Sequence, residues 1–366
     1  MESALTDSDS FATTIAFDSD GWKRKHELRW RHNDVATLQG ILVVERMRTF
    51  GGRLFAVNEH LNRLTESLQL LGLTGDVHAD SVANPNPVVS RDAGCTLSIS
   101  RSGIDPMLPL ESQICELIRQ LIDKNQSLLN DVTANAQDGS LVVAVSPGLA
   151  TSPPRLSAPQ AAFPDLEGVL PVADRQLSAM LYLDPIHFRQ LHRQYTEGTH
   201  LWIAPNANVP ADCWSPQIKT RSRISYYLAD DYAKSKDPHG LGLLRSTGGY
   251  ITDTSIANIA LVRNQREIVL VPRHLALDGI TQQTTEHLAT GLGFRVTRED
   301  ISLKDLESAD QVFLMGTTGC VWPATKINGL SIEHSDWQGS VGQQLQEAWK
   351  SLLKFDFMSQ AKEWAK

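Results

Sequence analysis

Residues 248–281, GGYITDTSIANIALVRNQREIVLVPRHLALDGIT, constrain this chain more than any other stretch. A Gly-Gly turn runs into an alternating apolar segment, Ile256, Asn258, Ile259, Leu261 and Val262. The polar turn 263–266 returns the chain into Ile268, Val269, Leu270 and Val271, and Pro272 stops that run. Composition and spacing predict two strands of a hairpin or meander. Leu277-Asp278-Gly279-Ile280-Thr281 then opens a predicted helix over 282–290. A glycine turn entering a helix points free backbone N–H groups outward and makes a seat for an anion. An acidic side chain, Asp253, therefore stands shortly before one strand, and an anion seat follows the next. A glycine before a helix is by itself usually only a turn, so the reading depends on partners elsewhere in the chain.

Composition narrows the class. A chain of 366 residues has room for two domains of ordinary size, each with its own core. Hydrophobic content of 41% and charged content of 21% fit a soluble globular protein. The net charge of −8 argues against a general nucleic-acid binder. Cys95, Cys115, Cys213 and Cys320 are scattered without metal-type spacing, which suits reduced thiols in the cytosol. Residues 1–21 are acidic and Ser/Thr-rich, unlike a signal peptide, and no apolar run approaches ~18 residues. The expectation is a cytoplasmic protein bound to neither membrane nor nucleic acid. His187 and His192 are five apart and do not share a helical face, so no metal site is expected. G-x-S-x-G, P-loop and G-x-G-x-x-G motifs are all missing, and the hydrolase and Rossmann readings lack their carriers.

Along the chain, residues 1–20 read as a flexible arm and 38–46 (LQGILVVER) as a strand ending in charge. Gly51-Gly52 turns into 54–57, and Asn58 is placed to cap a helix carrying Leu61, Leu64, Leu68 and Leu71, closed by Gly72. The polar segment 75–106 reads as a loop insertion, 111–122 as a helix and 141–145 as a strand. Five prolines make 151–171 irregular chain. A strand over 177–183 leads to Asp184-Pro185, the expected connection between a small domain, 21–185, and a large one, 190–366. The large domain opens on strand 201–204 and continues with helix 223–232, its apolar face marked by Ile224, Tyr227, Leu228 and Tyr232. Strands near 294–296 and at 312–315 follow, then a last helix, 341–353, with Leu345, Ala348, Trp349 and Leu352 on one face. Strands and helices mix without βαβ alternation, which predicts an α+β fold.

Three further stretches join the first: 55–64 (FAVNEHLNRL), 217–223 (QIKTRSR) and 313–318 (FLMGTT). In this order they resemble the class IV (fold type IV) pyridoxal-phosphate enzymes: branched-chain aminotransferases, D-amino-acid aminotransferases and aminodeoxychorismate lyases. The resemblance runs, with gaps, from about Val43 to about Leu352. It implies a two-domain α+β fold with the active site in the cleft between the domains, pyridoxal 5'-phosphate as cofactor, and a homodimer. By the I-K-T-x-S-R-I pattern, Lys219 is the lysine that forms the Schiff base and moves the proton at substrate Cα. In a Gly-x-x-x-Glu-x-x-x-x-Asn pattern, Gly249 and Asn258 match and Asp253 stands for the acid that keeps the pyridine nitrogen protonated, one methylene short. Arg63, Ile280, Thr281 and Thr317 match the phosphate cup, with Gln282 where arginine is common. Thr318 follows in the loop that faces the substrate carboxylate. Glu45 and Arg48 match a Glu-x-x-Arg that shapes the substrate pocket or the dimer seam, a structural ion pair being the alternative.

The function so implied is transfer of an amino group between an amino acid, branched-chain ones among the candidates, and a 2-oxo acid. A 4-amino-4-deoxychorismate lyase is the alternative, favoured by Lys219-x-x-x-Arg223-Ile224. A non-catalytic protein that keeps the pocket is a third reading, opposed by the presence of Lys219.

Overall fold

The framework is two sheets, each built around strands that are buried along nearly their whole length. The computed structural model describes residues 14–74, 96–97, 99, 102–105, 107–126, 138–150, 176–332 and 337–365. Most of the expected 75–106 insertion and all of the proline-rich 151–171 lie outside the described residues. The chain divides into two units, Met1–Pro185 with Ile218–Ser222, and Ile186–Gln217 with Arg223–Lys366. No helix among the described residues is long and apolar enough to cross a membrane.

The first unit contains β1 (Ile15–Asp18), β2 (Gly21–Arg24), α1 (Val35–Gln39), β3 (Val43–Phe50), β4 (Arg53–Leu54), α2 (Val57–Leu70), β5 (Thr96–Leu97), α3 (Leu110–Lys124), β6 (Gly139–Ser146) and β7 (Gln176–Pro185). Its sheet runs β2-β1-β7-β6-β3-β4, with β5 added to β7. The flexible arm expected to reach residue 20 gives way at Ile15 to a strand, because β1 pairs with β7 and buries Phe17. The strand expected over 38–46 starts only at Val43. Asp34 caps α1 by accepting from the Ala36 N–H, and Gly40, at φ +68°, ends it in a left-handed turn. Asn58 is no cap either: α2 begins after Ala56, which is left-handed and offers no capping side chain.

β3 alternates. Val43 and Met47 face a core shared with Leu61, Leu64 and Leu68 of α2 and Ile114, Leu117 and Leu121 of α3. Each such side chain contributes about 1.5–3 kcal/mol by burial. Val44 faces the other way, against Val142, Ala144 and Met180.

The second unit contains α4 (Phe188–Thr196), β8 (Thr199–Ala207), α5 (Ile224–Lys236), β9 (Leu241–Arg245), β10 (Ile251–Thr254), β11 (Asn258–Arg263), β12 (Glu267–Leu270), α6 (Ile280–Gly291), β13 (Arg295–Arg298), α7 (Leu303–Glu307), β14 (Gln311–Gly316), β15 (Cys320–Ile327), β16 (Leu330–Ser331), α8 (Val341–Leu353) and α9 (Phe357–Trp364). Its sheet runs β10-β9-β8-β15-β14-β11-β12-β13, and a further pairing of β10 with β11 closes the first part into a ring. The expected hairpin is present as β11 and β12, joined by the three residues 264–266; Asn264 and Gln265, both at φ +53°, are the central pair of a turn closed by the Arg266 N–H on the Arg263 carbonyl at 3.2 Å. Parallel pairs (β8 with β9 and β15, β12 with β13) mix with antiparallel ones, so the fold is α+β as the mixed pattern predicts.

Helix α5 corrects its expected face. Ile224 is 77% and Tyr227 71% exposed, whereas Ala229 and Ala233 are buried. The strand beneath explains this: a Cβ on Gly242 of β9 would lie 2.4 Å from the Ala229 carbonyl carbon. Only small residues on the inner face let helix and strand approach that closely. In α8, Leu345 and Trp349 are buried as expected while Leu352 is exposed. Helix α9 was not anticipated.

Candidate functional site

In the first unit, the lysine segment is held alongside the start of β3 by an isolated β-bridge. Val44 N–H donates to the Lys219 carbonyl at 2.9 Å and Arg221 N–H to the Leu42 carbonyl at 2.8 Å. Val43 and Thr220 form a β-bridge between them. The Lys219 N–H turns away to the Ser67 hydroxyl at 3.2 Å. The lysine backbone is thus fixed to both β3 and α2.

The spacing of His60, Arg63 and Ser67 places these three on one stripe of α2, toward β3. Glu45 of β3 is 0% exposed. It accepts Arg63 Nε at 2.8 Å on Oε1 and Arg63 Nη2 at 2.8 Å on Oε2, a bidentate pair, and His60 Nδ1 lies 2.7 Å from Oε2. Burial raises the Glu45 pKa, but the Arg63 charge and the bonds from Arg63 and His60 outweigh it and hold the carboxyl at about 2. Burial lowers the His60 pKa more than Glu45 raises it, and the charges of Arg63 and Lys219 push the same way. His60 is therefore the neutral imidazole near pH 7, with Nδ1–H donating to the carboxylate.

Glu45 and Arg48 are not brought together. They fall on opposite faces of β3, and the Arg48 guanidinium lies 4.5 Å from the centre of the Phe50 ring. Glu45 is committed to Arg63 and His60, so its ion pair is a structural one with a partner other than Arg48.

In the second unit, Asp253 pairs with Asn258 where β10 meets β11 and the ring closes. Asn258 Nδ2 donates to the Leu277 carbonyl at 2.7 Å, and its Oδ1 would lie 2.2 Å from a Cβ on Gly279. That contact requires glycine at 279. Helix α6 starts at the next residue without a capping side chain, leaving its first N–H groups, those of Ile280 and Thr281 included, open to an anion. Gln282, where arginine is common, turns to Asp278 instead, at 3.0 Å, alongside Arg298 at 3.0 Å and Arg273 at 2.9 Å. The register of Asn258 with Met315 brings the Gly316–Thr318 turn to the same end of the sheet. A Cβ on Gly316 would lie 2.7 Å from the Ile256 carbonyl oxygen.

Asp253 is 5% exposed. The Tyr226 hydroxyl is 2.9 Å from its Oδ1 and 3.1 Å from Oδ2, and Asn208 Nδ2 is 3.3 Å from Oδ1. Burial, then the Asp253 charge, push the Tyr226 phenol well above its ordinary range, so it remains a protonated donor. The sequence reading missed Tyr226, Asn208 and His60. Tyr226 lay within a helix read only for its apolar stripe, and Asn208 carries no local signal. The spacing His60-x-x-Arg63 was visible as a helical pair facing Glu45.

A family model described as amino-transferase class IV matches residues 42–327. The D-alanine aminotransferase of Listeria monocytogenes serotype 1/2a (strain 10403S) is 24% identical over 292 residues, 79% of this chain and 79% of the relative. The branched-chain-amino-acid aminotransferase-like protein 2 of Arabidopsis thaliana is 35% identical over 105 residues, 28% of this chain and 18% of that protein. Among solved structures, the branched-chain aminotransferase of Thermoproteus uzoniensis with norvaline is similar at a TM-score of 0.67 and 16% identity, covering 93% of this chain and 95% of its own. The T.th. branched-chain amino acid aminotransferase complexed with N-(5'-phosphopyridoxyl)-L-glutamate follows at 0.66 and 17%, covering 94% and 96%. At those identities the structures speak for the fold alone. The family match spans well over half of the chain, and with it the likeness to whole aminotransferases, so this protein belongs to the class IV aminotransferases and is an enzyme of that family.

Proposed function

We propose that this aminotransferase uses pyridoxal 5'-phosphate held through Lys219 to move an amino group between an amino acid and a 2-oxo acid. The observation that carries the reading is Asn258. Its backbone pairs with the buried carboxylate Asp253, and its side chain fixes the glycine that opens the uncapped N-terminus of α6. One residue thus ties together an acid suited to a pyridine nitrogen and a seat suited to a phosphate, and these residues fit the cofactor.

When bound, the cofactor supplies an aldehyde that captures the amine and a ring that accepts electrons. Lys219 provides the amine that holds it and afterwards carries the proton at substrate Cα. Asp253 keeps the proton on the ring nitrogen. The N–H groups of Ile280 and Thr281, with Thr317, bind the phosphate. Arg63, which gives two of its five N–H donors to Glu45, is the further candidate for the phosphate by its motif. Thr318 faces the substrate carboxylate. The enzyme acts as a homodimer, as its family resemblance implies.

Borohydride reduction of the protein loaded with pyridoxal 5'-phosphate, followed by peptide mapping, tests the reading. The label is expected on Lys219. A label on a different lysine, or a protein that takes up no cofactor, overturns it. Assays with D-alanine, branched-chain amino acids and 4-amino-4-deoxychorismate then separate the substrates, and a fully active monomer in sedimentation removes the dimer.

A further inference from the structure

We infer that Tyr226 is the positioning residue of Asp253, and that the two side chains are matched in length so that a longer acid does not fit at 253. The inference rests on the proposed role of Asp253 and deepens it. The Tyr226 hydroxyl lies within 3.1 Å of both carboxylate oxygens, so it sits ahead of the carboxylate rather than beside one oxygen. A carboxylate one methylene longer would advance by about 1.5 Å and close that separation to far less than a hydrogen bond.

Tyr226 is itself held. The Arg223 guanidinium stacks 4.2 Å from the centre of its ring, and Arg223 Nη2 donates to the Ser255 carbonyl, two residues beyond Asp253. The first turn of α5 is therefore fastened to the β10–β11 connection at two points. That connection is closed on itself, since Thr254 N–H donates to the Ala257 carbonyl at 3.0 Å and Ala257 N–H to the Thr254 hydroxyl at 2.9 Å. Asn208 Nδ2 reaches both Asp253 Oδ1, at 3.3 Å, and the Tyr226 hydroxyl, at 3.4 Å.

The phenol takes up little of a carboxylate's acceptor set. A phenol has one proton to give, whereas an ionised carboxylate accepts at about four lone-pair sites. The clamp orients the carboxylate with one proton of the phenol and one of the Asn208 amide. In this scheme the effect of Tyr226 passes through Asp253.

The test compares Tyr226→Phe, Asp253→Glu and the double variant as holoenzymes loaded with pyridoxal 5'-phosphate labelled with 15N in the ring. Losing a hydrogen bond to a charged group predicts a fall in kcat of about tenfold to a hundredfold for Y226F, with KM little changed. The ring 15N resonance should move toward its unprotonated position, a readout that a merely structural role would leave alone. D253E should lose activity by crowding, and Y226F/D253E should recover much of it, because removing the hydroxyl makes room. Y226F with wild-type kcat and resonance overturns the inference, and so does a D253E variant that Y226F does not help.

A double-mutant cycle of Y226F and D253A on the unfolding of cofactor-free protein reads the same pair without the cofactor. Measurable coupling is expected, and none overturns the clamp. A wild type that binds no cofactor would sink the functional reading, and the cycle would still decide on the pair.

Discussion

Glu45 in the first unit and Asp253 in the second are both buried carboxylates, but they are satisfied by different means. Glu45 faces a cation, with Arg63 bidentate upon it and His60 completing the shell. Asp253 accepts from a phenol and an amide. An ion pair cancels charge, so Glu45 is an anchor that fixes α2 to β3. Neutral donors such as these orient a carboxylate without adding a counter-charge, which suits the role proposed for Asp253. Both are deeply buried acids next to matched motifs, and the contrast sets a residue that pairs a buried cation against one for which a chemical role is proposed.

The largest expected effect is on the anchor. Glu45→Gln leaves Arg63 buried without its counter-charge and should cost about 3–5 kcal/mol of stability, measured by urea unfolding. A loss below about 1 kcal/mol, the range of a surface pair, would erase the contrast. The same logic applies to Arg63→Ala, which would weaken folding through Glu45 as well as cofactor binding.

Asp253→Asn should do the reverse. It keeps the shape and an acceptor for Tyr226, so stability should change by no more than about 1 kcal/mol. The half-reaction should slow by roughly 30- to 1000-fold, or about 2–4 kcal/mol, because an amide cannot stabilise a protonated ring nitrogen. Single-turnover absorbance reads the rate, and a variant equal to wild type would make Asp253 only a turn residue.

The smallest effect is on pH dependence, and its sign follows from the shifts. Glu45 falls from 4.5 to about 2 on folding, so its contribution is complete above pH 4.5 and is lost as pH falls toward 2. His60 is also lowered, from 6.5, so the folded state takes up its proton later and stability begins to fall below that pH. Wild-type stability should decline in two stages on acidification. In Glu45→Gln the lower stage should shrink, leaving the part owed to other lowered carboxylates such as Asp184. Persistence of the full acid limb in that variant would assign it to other carboxylates.

The sequence by itself determined the parts whose information is local. The alternation in 256–271 is a period of two that only a half- or fully buried strand satisfies, and Asn264-Gln265 supplies the turn. Gly279 before Ile280-Thr281 marks a helix start, and the leucines of α2 mark a buried stripe. The motif around Lys219 placed the chain in its family, which the match over 42–327 bears out. Tertiary structure decided what depends on residues far apart in sequence. The 77% exposure of Ile224, on a helix read as apolar there, follows from Gly242, which admits only alanines beneath α5. Ile15–Asp18 is a strand because β7, far along the chain, offers it an edge. The separation of Glu45 from Arg48 follows from the pleat of β3, and the commitment of Glu45 to Arg63 from the packing of α2. Above all, Asp253 acquires its orientation from Tyr226 and Asn208, which lie 27 and 45 residues away along the chain. Local periodicity reports which face is apolar, whereas the direction of a buried carboxylate is set by whichever donors the fold brings to it.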